Sequence, residues 1–220
     1  MIIAIDGPAG SGKGTLAKEL AKKYNLLNID SGATYRCLAL KVLQENVSID
    51  DKDSIINIAK QLKIELKNNG MVILDGIDVT KEIREKEVTE IVSPISSIIE
   101  VREILVDIQR EMAKSSNVVM EGRDITTVVF PNADYKFYLD ASLEKRVERR
   151  VLENKEKGID MNYDEVLKNI QDRDYNDMHK KVGALKRTDD QIYIDTTNMT
   201  VEEEVELIDK YINSKGENNE

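Results

Sequence analysis

The chain has 220 residues, 40% of them hydrophobic, which is enough to bury one sizeable core. Its 42 acidic against 32 basic residues leave a net charge of −10, which argues against the basic surface that non-specific nucleic-acid binding needs. A lone cysteine, Cys37, excludes an internal disulfide framework, no apolar run is long enough for a membrane helix, and no charged leader precedes the first strand pattern. The expectation is a cytoplasmic monomer without a membrane or nucleic-acid partner.

Residues 2–5 read as a short β-branched strand ending in Asp6, and a glycine-rich turn follows at once. Gly7, Pro8, Ala9, Gly10, Ser11, Gly12 and Lys13 fit G-x-x-x-x-G-K, Gly14 and Thr15 continue it, and residues 16–21 read as a helix. Strand, loop and helix in that order are the context of a phosphate-binding loop. Gly7, Gly10, Gly12 and Gly14 let backbone N–H groups turn inward as an anion nest, and Lys13 adds a mobile charge for the β- and γ-phosphates. The loop implies a nucleoside triphosphate, ATP in the reading below. Gly14 stands where most such loops carry the Ser or Thr that ligates Mg²⁺, so no side chain is assigned to the metal. Mg²⁺ is expected to be held mainly by ATP phosphates and water.

Further buried strands are predicted at 26–29, 118–120, 135–139 and 192–194, and helical patterns cover, among others, 33–46, 98–114, 142–157 and 163–180. Cys37 falls in the apolar run 37–40 and is expected to pack. Strands alternating with helices predict an α/β fold: a five-stranded parallel sheet with helices on both faces. Residues 62–80 break that rhythm as a small antiparallel β insertion, turning at Asn68-Asn69-Gly70 and again at Gly76. Asn162 with Glu165 and Thr200 with Glu203 mark helix starts, and residues 214–220 read as a polar tail. The whole reads as one unit over 1–220. Its core is 1–60, 96–150 and 182–212, its insertion about 61–95, and its short helical lid about 151–181, hinged at 155–160 around Gly158.

Ligands of open α/β sheets bind beyond the carboxyl ends of the strands. Asp30-Ser31-Gly32-Ala33-Thr34-Tyr35-Arg36 follows the second strand and Glu121-Gly122-Arg123-Asp124 the third, while a polar cluster from Arg173 to Lys180 ends a long helix. Arginines converging on that rim suit two phosphorylated substrates, because guanidinium groups fix phosphate geometry bidentately. His179 is a solvated side chain without a catalytic role. Arg146, Arg149 and Arg150 fit either a salt-bridged helix face or a lid that brings arginines over the transferring phosphoryl.

Residues 7–15, 30–36, 121–131 (Glu-Gly-Arg-Asp-Ile-Thr-Thr-Val-Val-Phe-Pro) and 139–142 (Leu-Asp-Ala-Ser) together resemble the bacterial cytidylate kinase family, over residues 1 to roughly 212. The resemblance implies a P-loop kinase fold and phosphoryl transfer from ATP to CMP or dCMP, giving ADP and CDP or dCDP, in pyrimidine nucleotide metabolism. It implies that Ser93, Arg102 and Asp124 address the cytosine, that Arg173 and Asp177 hold the ribose, and that Arg36, Arg123 and Lys180 surround the acceptor phosphate. Ser31 and Tyr35 are counted with this pocket, and Lys13, Arg123, Arg150 and Arg173 with the catalytic groups. The family usually has Arg where this chain has Lys180, and Pro where it has Ala184.

Read from the residues alone, a kinase for UMP, AMP or GMP, a phosphate-loop switch and a nucleotide sensor stay open. A GTPase switch would want Asn-Lys-x-Asp, whereas Asn154-Lys155 continues Glu-Lys.

Overall fold

In the structure, a computed structural model describing residues 1–114, 117–156 and 158–217, the β-branched run Ile2–Asp6 forms strand β1 at the centre of the main sheet. It pairs in parallel on one side with β6 (Val118–Gly122), Ile2 opposite Val118 through Asp6 opposite Gly122. On the other side it pairs with β7 (Tyr135–Asp140), Ile3 opposite Tyr135 through Asp6 opposite Tyr138. β2 (Leu27–Asp30) flanks β6 and β8 (Ile192–Asp195) flanks β7, giving the order β2-β6-β1-β7-β8. The chain therefore moves out on one side of β1 and then crosses to the other. The crevice at the carboxyl ends of the strands lies where that direction reverses. Every chemistry-bearing segment starts there: Gly7 after β1, Ser31 after β2, Arg123 after β6, Thr196 after β8.

Helices α1 (Lys13–Tyr24) and α8 (Val201–Glu217) cover one face, where Leu16, Leu20, Ile208 and Ile212 pack on Ile3, Ile5, Phe137 and Ile194. On the other face Val106, from α5 (Ile99–Ala113), meets Ala4, Ile29 and Met120. Beyond it lies a further core built by α2 (Ser31–Gln44), α3 (Lys52–Gln61) and α4 (Lys86–Ile95), including Leu38, Ile55, Val88 and Leu105. Cys37 is fully buried in this layer, and burial pushes its thiol up to about 12, as expected of a packing cysteine. The helices α6 (Leu143–Glu156) and α7 (Tyr163–His179) pack on each other through Val147, Val166 and Ile170, a satellite core apart from the others.

The insertion is the antiparallel meander that the alternation predicts: β3 (Ile64–Leu66), β4 (Val72–Leu74) and β5 (Ile77–Asp78), with Ile64 opposite Leu74 and Leu74 opposite Ile77. Asp75 (φ 51) and Gly76 (φ 85) both adopt left-handed backbone, the geometry a two-residue hairpin turn demands. Its inner residues Ile64, Val72 and Leu74 join the α2 core.

Four features depart from the sequence reading. Helices α3 and α4 emerge where no helix was assigned: β-branched residues and Pro94 obscure α4, whose Pro94 is tolerated in its last turn. The run Ile125–Val129, to which the sequence reading assigns no element, forms a π-helical turn whose Ile125 and Thr126 N–H groups donate to Asp6 at the end of β1. Helix α8 continues past Ser214 to Glu217 instead of ending in a tail, and residues 218–220 lie outside the described residues. Between α6 and α7 the chain turns at Gly158, φ 69, whose N–H donates to the Lys155 carbonyl; Lys157, in the hinge expected over 155–160, lies outside the described residues.

Candidate active site

The donor loop is fixed by near-contact with the sheet. A Cβ on Gly7 would stand 2.0 Å from the Leu139 carbonyl oxygen, so only glycine lets the loop leave β1 this closely. Gly14 corrects one expectation: it lies inside α1 with ordinary helical backbone and does not help turn the loop. What its missing side chain leaves is space beside Glu121, whose Oε1 lies 3.5 Å from where a Cβ would be. Thr15 is exposed.

Lys13 is buried and folded back onto its own loop, donating to the Pro8 carbonyl at 2.7 Å and to Ser11 Oγ at 3.2 Å. Burial lowers its pKa to about 7, Arg123 and Arg173 add to the shift, and Glu121 opposes it. Burial and the facing Asp30 hold the Glu121 carboxyl above its usual range. The loop is tied down from outside by α6 and α7. Asp174 Oδ1 accepts the Ala9 N–H at 3.0 Å, while Arg146 donates to the Ala9 carbonyl at 3.0 Å and pairs with Asp174. Arg146 is thus a buried strut between the helices, neither a surface i,i+4 partner nor a free lid arginine. Arg150, by contrast, pairs with Glu153 on the exposed side of α6.

The facing wall is organised by Asp6. Its carboxylate accepts the Ile125 N–H at 2.8 Å, the Thr126 N–H at 2.9 Å and the Thr126 hydroxyl at 2.6 Å. This knot joins the end of β1, where the donor loop begins, to the segment carrying Arg123 and Asp124. Arg123 Nε donates to Asp177 Oδ2 at 2.7 Å, and Lys180 Nζ donates to Asp177 Oδ1 at 3.0 Å. Burial alone would raise the Asp177 pKa, but Arg123 and Lys180 outweigh it and bring it down to about 2. Arg173, exposed on α7, makes no hydrogen bond among the described residues; repulsion from Arg123 lowers its pKa to about 10.

Deeper in the pocket Arg102 pairs with Asp124, donates to the Ser96 carbonyl at 3.2 Å, and lies over the Tyr35 ring at 5.5 Å. Burial holds the Asp124 carboxyl above its usual range despite Arg102 and Lys180. Among the described residues two buried guanidinium nitrogens have no hydrogen-bond partner: Arg102 Nε and Arg36 Nε. Arg36 spends Nη2 on Asp30 at 2.8 Å, and Ser31 Oγ donates to the Glu121 carbonyl at 2.8 Å. Unpartnered buried donors in a polar cleft mark where a ligand's acceptors go.

The structure therefore brings Ser31, Tyr35, Arg36, Arg102, Arg123, Asp124, Arg173, Asp177 and Lys180 to one wall, opposite the loop 7–15. Ser93 is exposed on α4, where its carbonyl accepts the Ser96 and Ser97 hydroxyls. Ser96, which sequence reasoning passed over, is the serine between Arg102 and Lys180, its Oγ 3.4 Å from Lys180 Nζ. Asp6 and Asp174 were likewise missed; a carboxylate placed immediately before the glycine turn was the one available signal for Asp6.

Gly183 closes the pocket with φ 66, and a Cβ there would fall 1.9 Å from Arg102 Nη2 and 2.4 Å from Asp124 Oδ2. Gly183→Ala is expected to push this pair apart. Acceptor-nucleotide kcat/KM should fall about tenfold or more while donor KM holds, as steady-state assays with each substrate varied will read.

The Cytidylate kinase family matches residues 3–214. A cytidylate kinase from Caldanaerobacter subterraneus subsp. tengcongensis is 50% identical, covering 98% of this chain and 96% of that protein. One from Desulforamulus reducens is 48% identical over 94% of both. Among solved structures, an uncharacterized protein from Eubacterium ventriosum ATCC 27560 aligns over 97% of this chain and 99% of its own at a TM-score of 0.55 and 16% identity, a likeness of fold alone. With the family matched nearly end to end and the loop and basic wall facing each other, the chain belongs to the cytidylate kinase family.

Proposed function

We propose that this cleft transfers the γ-phosphoryl group of ATP to the phosphate of CMP or dCMP, giving ADP and CDP or dCDP. The observation that carries the reading is the buried Arg102–Asp124 pair with Arg102 Nε unpartnered. Cytosine presents acceptors at O2 and N3 and a donor at its exocyclic amine. Arg102 matches the former and Asp124 the latter, whereas uracil would turn an acceptor toward the carboxylate. Ser93 and Ser96 edge this base site, and Ser31 and Tyr35 line its floor. Arg173 and Asp177 take the ribose, and Arg36, with its own free Nε, takes the acceptor phosphate beside Arg123 and Lys180.

The attacking oxygen of CMP is already anionic, so no general base is needed, and catalysis reduces to alignment and charge neutralisation. ATP phosphates settle on the backbone N–H groups of residues 7–15. Lys13 exchanges the Pro8 carbonyl for phosphate oxygens, and that anionic company restores its charge. Arg123 and Arg173 balance the charge that moves between donor and acceptor, with Arg150 joining them as the lid, about 151–181, closes from the side opposite the insertion, about 61–95. Closure excludes water and so suppresses ATP hydrolysis.

Among the described residues no group of three or more His, Cys, Asp or Glu could cage a metal ion. Asp30 and Glu121 beside Gly14, and the open Thr15 hydroxyl, fit instead a hydrated Mg²⁺ held mainly by the ATP phosphates and water. When bound, the ion supplies charge neutralisation on the β- and γ-phosphates. Among the described residues no helix is long and apolar enough to cross a membrane. The proposed enzyme acts on small-molecule substrates in the cytoplasm as a monomer.

A coupled assay of ADP release with CMP, dCMP, UMP, AMP and GMP tests the reading. CMP and dCMP should lead by about 10²-fold in kcat/KM, the scale on which a site that hydrogen-bonds its substrate discriminates; equal turnover of all five would defeat it. Lys180→Ala should raise KM for CMP with little change for ATP, and Lys180→Arg should restore it where the fork fits. An alanine variant indistinguishable from the parent on both substrates leaves the acceptor phosphate to Arg36 and Arg123.

A further inference from the structure

Glu204 lies in the first turn of α8 with 2% of its surface exposed, and its Oε2 is buried without a hydrogen-bond partner. A carboxylate in that position is costly and needs a physical reason. Its Oε1 stands 3.9 Å from Arg149 Nη2. The Arg149 guanidinium donates to the Ser11 carbonyl at 3.3 Å, the Thr196 hydroxyl at 3.0 Å and the Thr196 carbonyl at 2.7 Å. Those three acceptors are neutral, so Glu204 supplies the counter-charge. The pair stands directly behind the donor loop: a Cβ on Gly12 would meet Arg149 Nη1 at 3.6 Å and both Glu204 oxygens at 3.9 Å. Gly12 caps α1 in left-handed backbone, φ 94, so this is where the loop turns into the helix.

We propose that Glu204 is a positioning residue of the donor site: its charge keeps Arg149 on the Ser11 carbonyl and Thr196, and so holds the loop in the curvature that receives ATP phosphates. This rests on the reading of residues 7–15 as the ATP loop. In this proposal Glu204 acts through Arg149 and the loop backbone.

Burial pushes the Glu204 carboxyl up to about 7, with Arg149 pulling against it. Arg149, from α6, is the charged group that faces it. The loop presents Gly12 and the turn after β8 presents Thr196, neither of which titrates. Helix α1 meets α8 through apolar Leu16 and Leu20, and its polar contacts with α8, from Lys23 and Tyr24, fall on Asp209 farther along. Glu202 and Glu203, on its own turn, are exposed. Glu204 therefore gains its charge, and its grip on Arg149, as pH rises through neutrality. Stability runs the other way. A carboxyl with a higher pKa folded than unfolded costs nothing below the unfolded value and its full amount above the folded one, so removing the charge does not lower the melting temperature.

The test is calorimetric titration of ATP into the parent, Glu204→Gln, Arg149→Met and the double variant at pH 6 and pH 8, with thermal melts and KM for CMP. At pH 8 Glu204→Gln should weaken ATP binding about tenfold, the scale of one charge-assisted contact. KM for CMP should stay within about twofold, and the melting midpoint should not fall. At pH 6 the deficit should shrink below about threefold, because the parent is then itself protonated. The double variant should be no weaker than Arg149→Met. Unchanged ATP affinity at pH 8, an equal deficit at both pH values, a matching loss for CMP with a lower melting point, or additive losses in the double variant would each overturn the proposal. A parent that binds no ATP sinks the donor-loop reading itself, which separates the two failures.

Discussion

Replacing Lys13 by alanine should reduce kcat by at least tenfold, and by about 10²- to 10³-fold if its charge acts as a preorganised electrostatic donor does. The fold should survive. Lys13 is buried with its pKa drawn down to about 7, so the native state disfavours its charge. The sign follows from linkage. Above the ordinary lysine value both states are neutral and Lys13 costs nothing; below about 7 both are charged and the native state bears the full cost. Lys13→Ala should therefore melt no lower than the parent near neutral pH, where its partners are only the Pro8 carbonyl and Ser11 Oγ. Circular-dichroism melts beside a coupled ADP assay measure both at once. Retention of more than about a tenth of parental kcat would remove Lys13 from the chemistry.

Asp124→Asn carries the second large effect. The carboxylate accepts from Arg102 and, in the proposed complex, from the cytosine amine. An amide in its place can rotate a donor toward the base, favouring uracil's acceptor over cytosine's amine. The expected loss is about 10²-fold in kcat/KM for CMP, with KM for ATP within about twofold and the preference for CMP over UMP collapsing. The substitution also leaves the Arg102 cation buried with one ionic partner fewer, so some loss of stability accompanies it. The CMP-to-UMP ratio is the decisive readout, because a general loosening of the fold lowers both rates and leaves their ratio alone. Equal damage to both nucleotides would make Asp124 a structural residue.

What could be read from the sequence follows from how local each signal is. Strand β1 and the loop after it are written in adjacent residues, and the meander announces itself through Asp75-Gly76, where backbone conformation dictates residue type. Helix α4 carries the helical period in Val88, Ile91, Val92 and Ile95, but their β-branched side chains favour strand locally and Pro94 reads as a breaker, so residue type masks the spacing. The turn at 125–129 depends on Asp6, some 120 residues away along the chain. Glu-Lys-Arg-Val-Glu-Arg-Arg looks like a surface of alternating charges, and Arg150 with Glu153 is one, yet Arg146 and Arg149 are claimed by Asp174 and Thr196, neighbours far along the chain. Ser96, whose buried hydroxyl lies beside Lys180, carries no local signal that sets it apart from Ser93 or Ser97; only the fold brings it to Lys180.

Helix α7 places Asp174 on the Ala9 N–H of the loop and, three residues later, Asp177 on Arg123 of the opposite wall. One rigid rod thus acts as a ruler between the loop 7–15 and the Arg123 wall, and its graduation is the helical rise, about 4.5 Å over three residues. A single residue added between the two aspartates would rotate one of them by about 100° around the rod. The interval from 174 to 177 is therefore the one stretch of this helix whose length evolution cannot edit without re-gauging the gap that a phosphoryl group must cross.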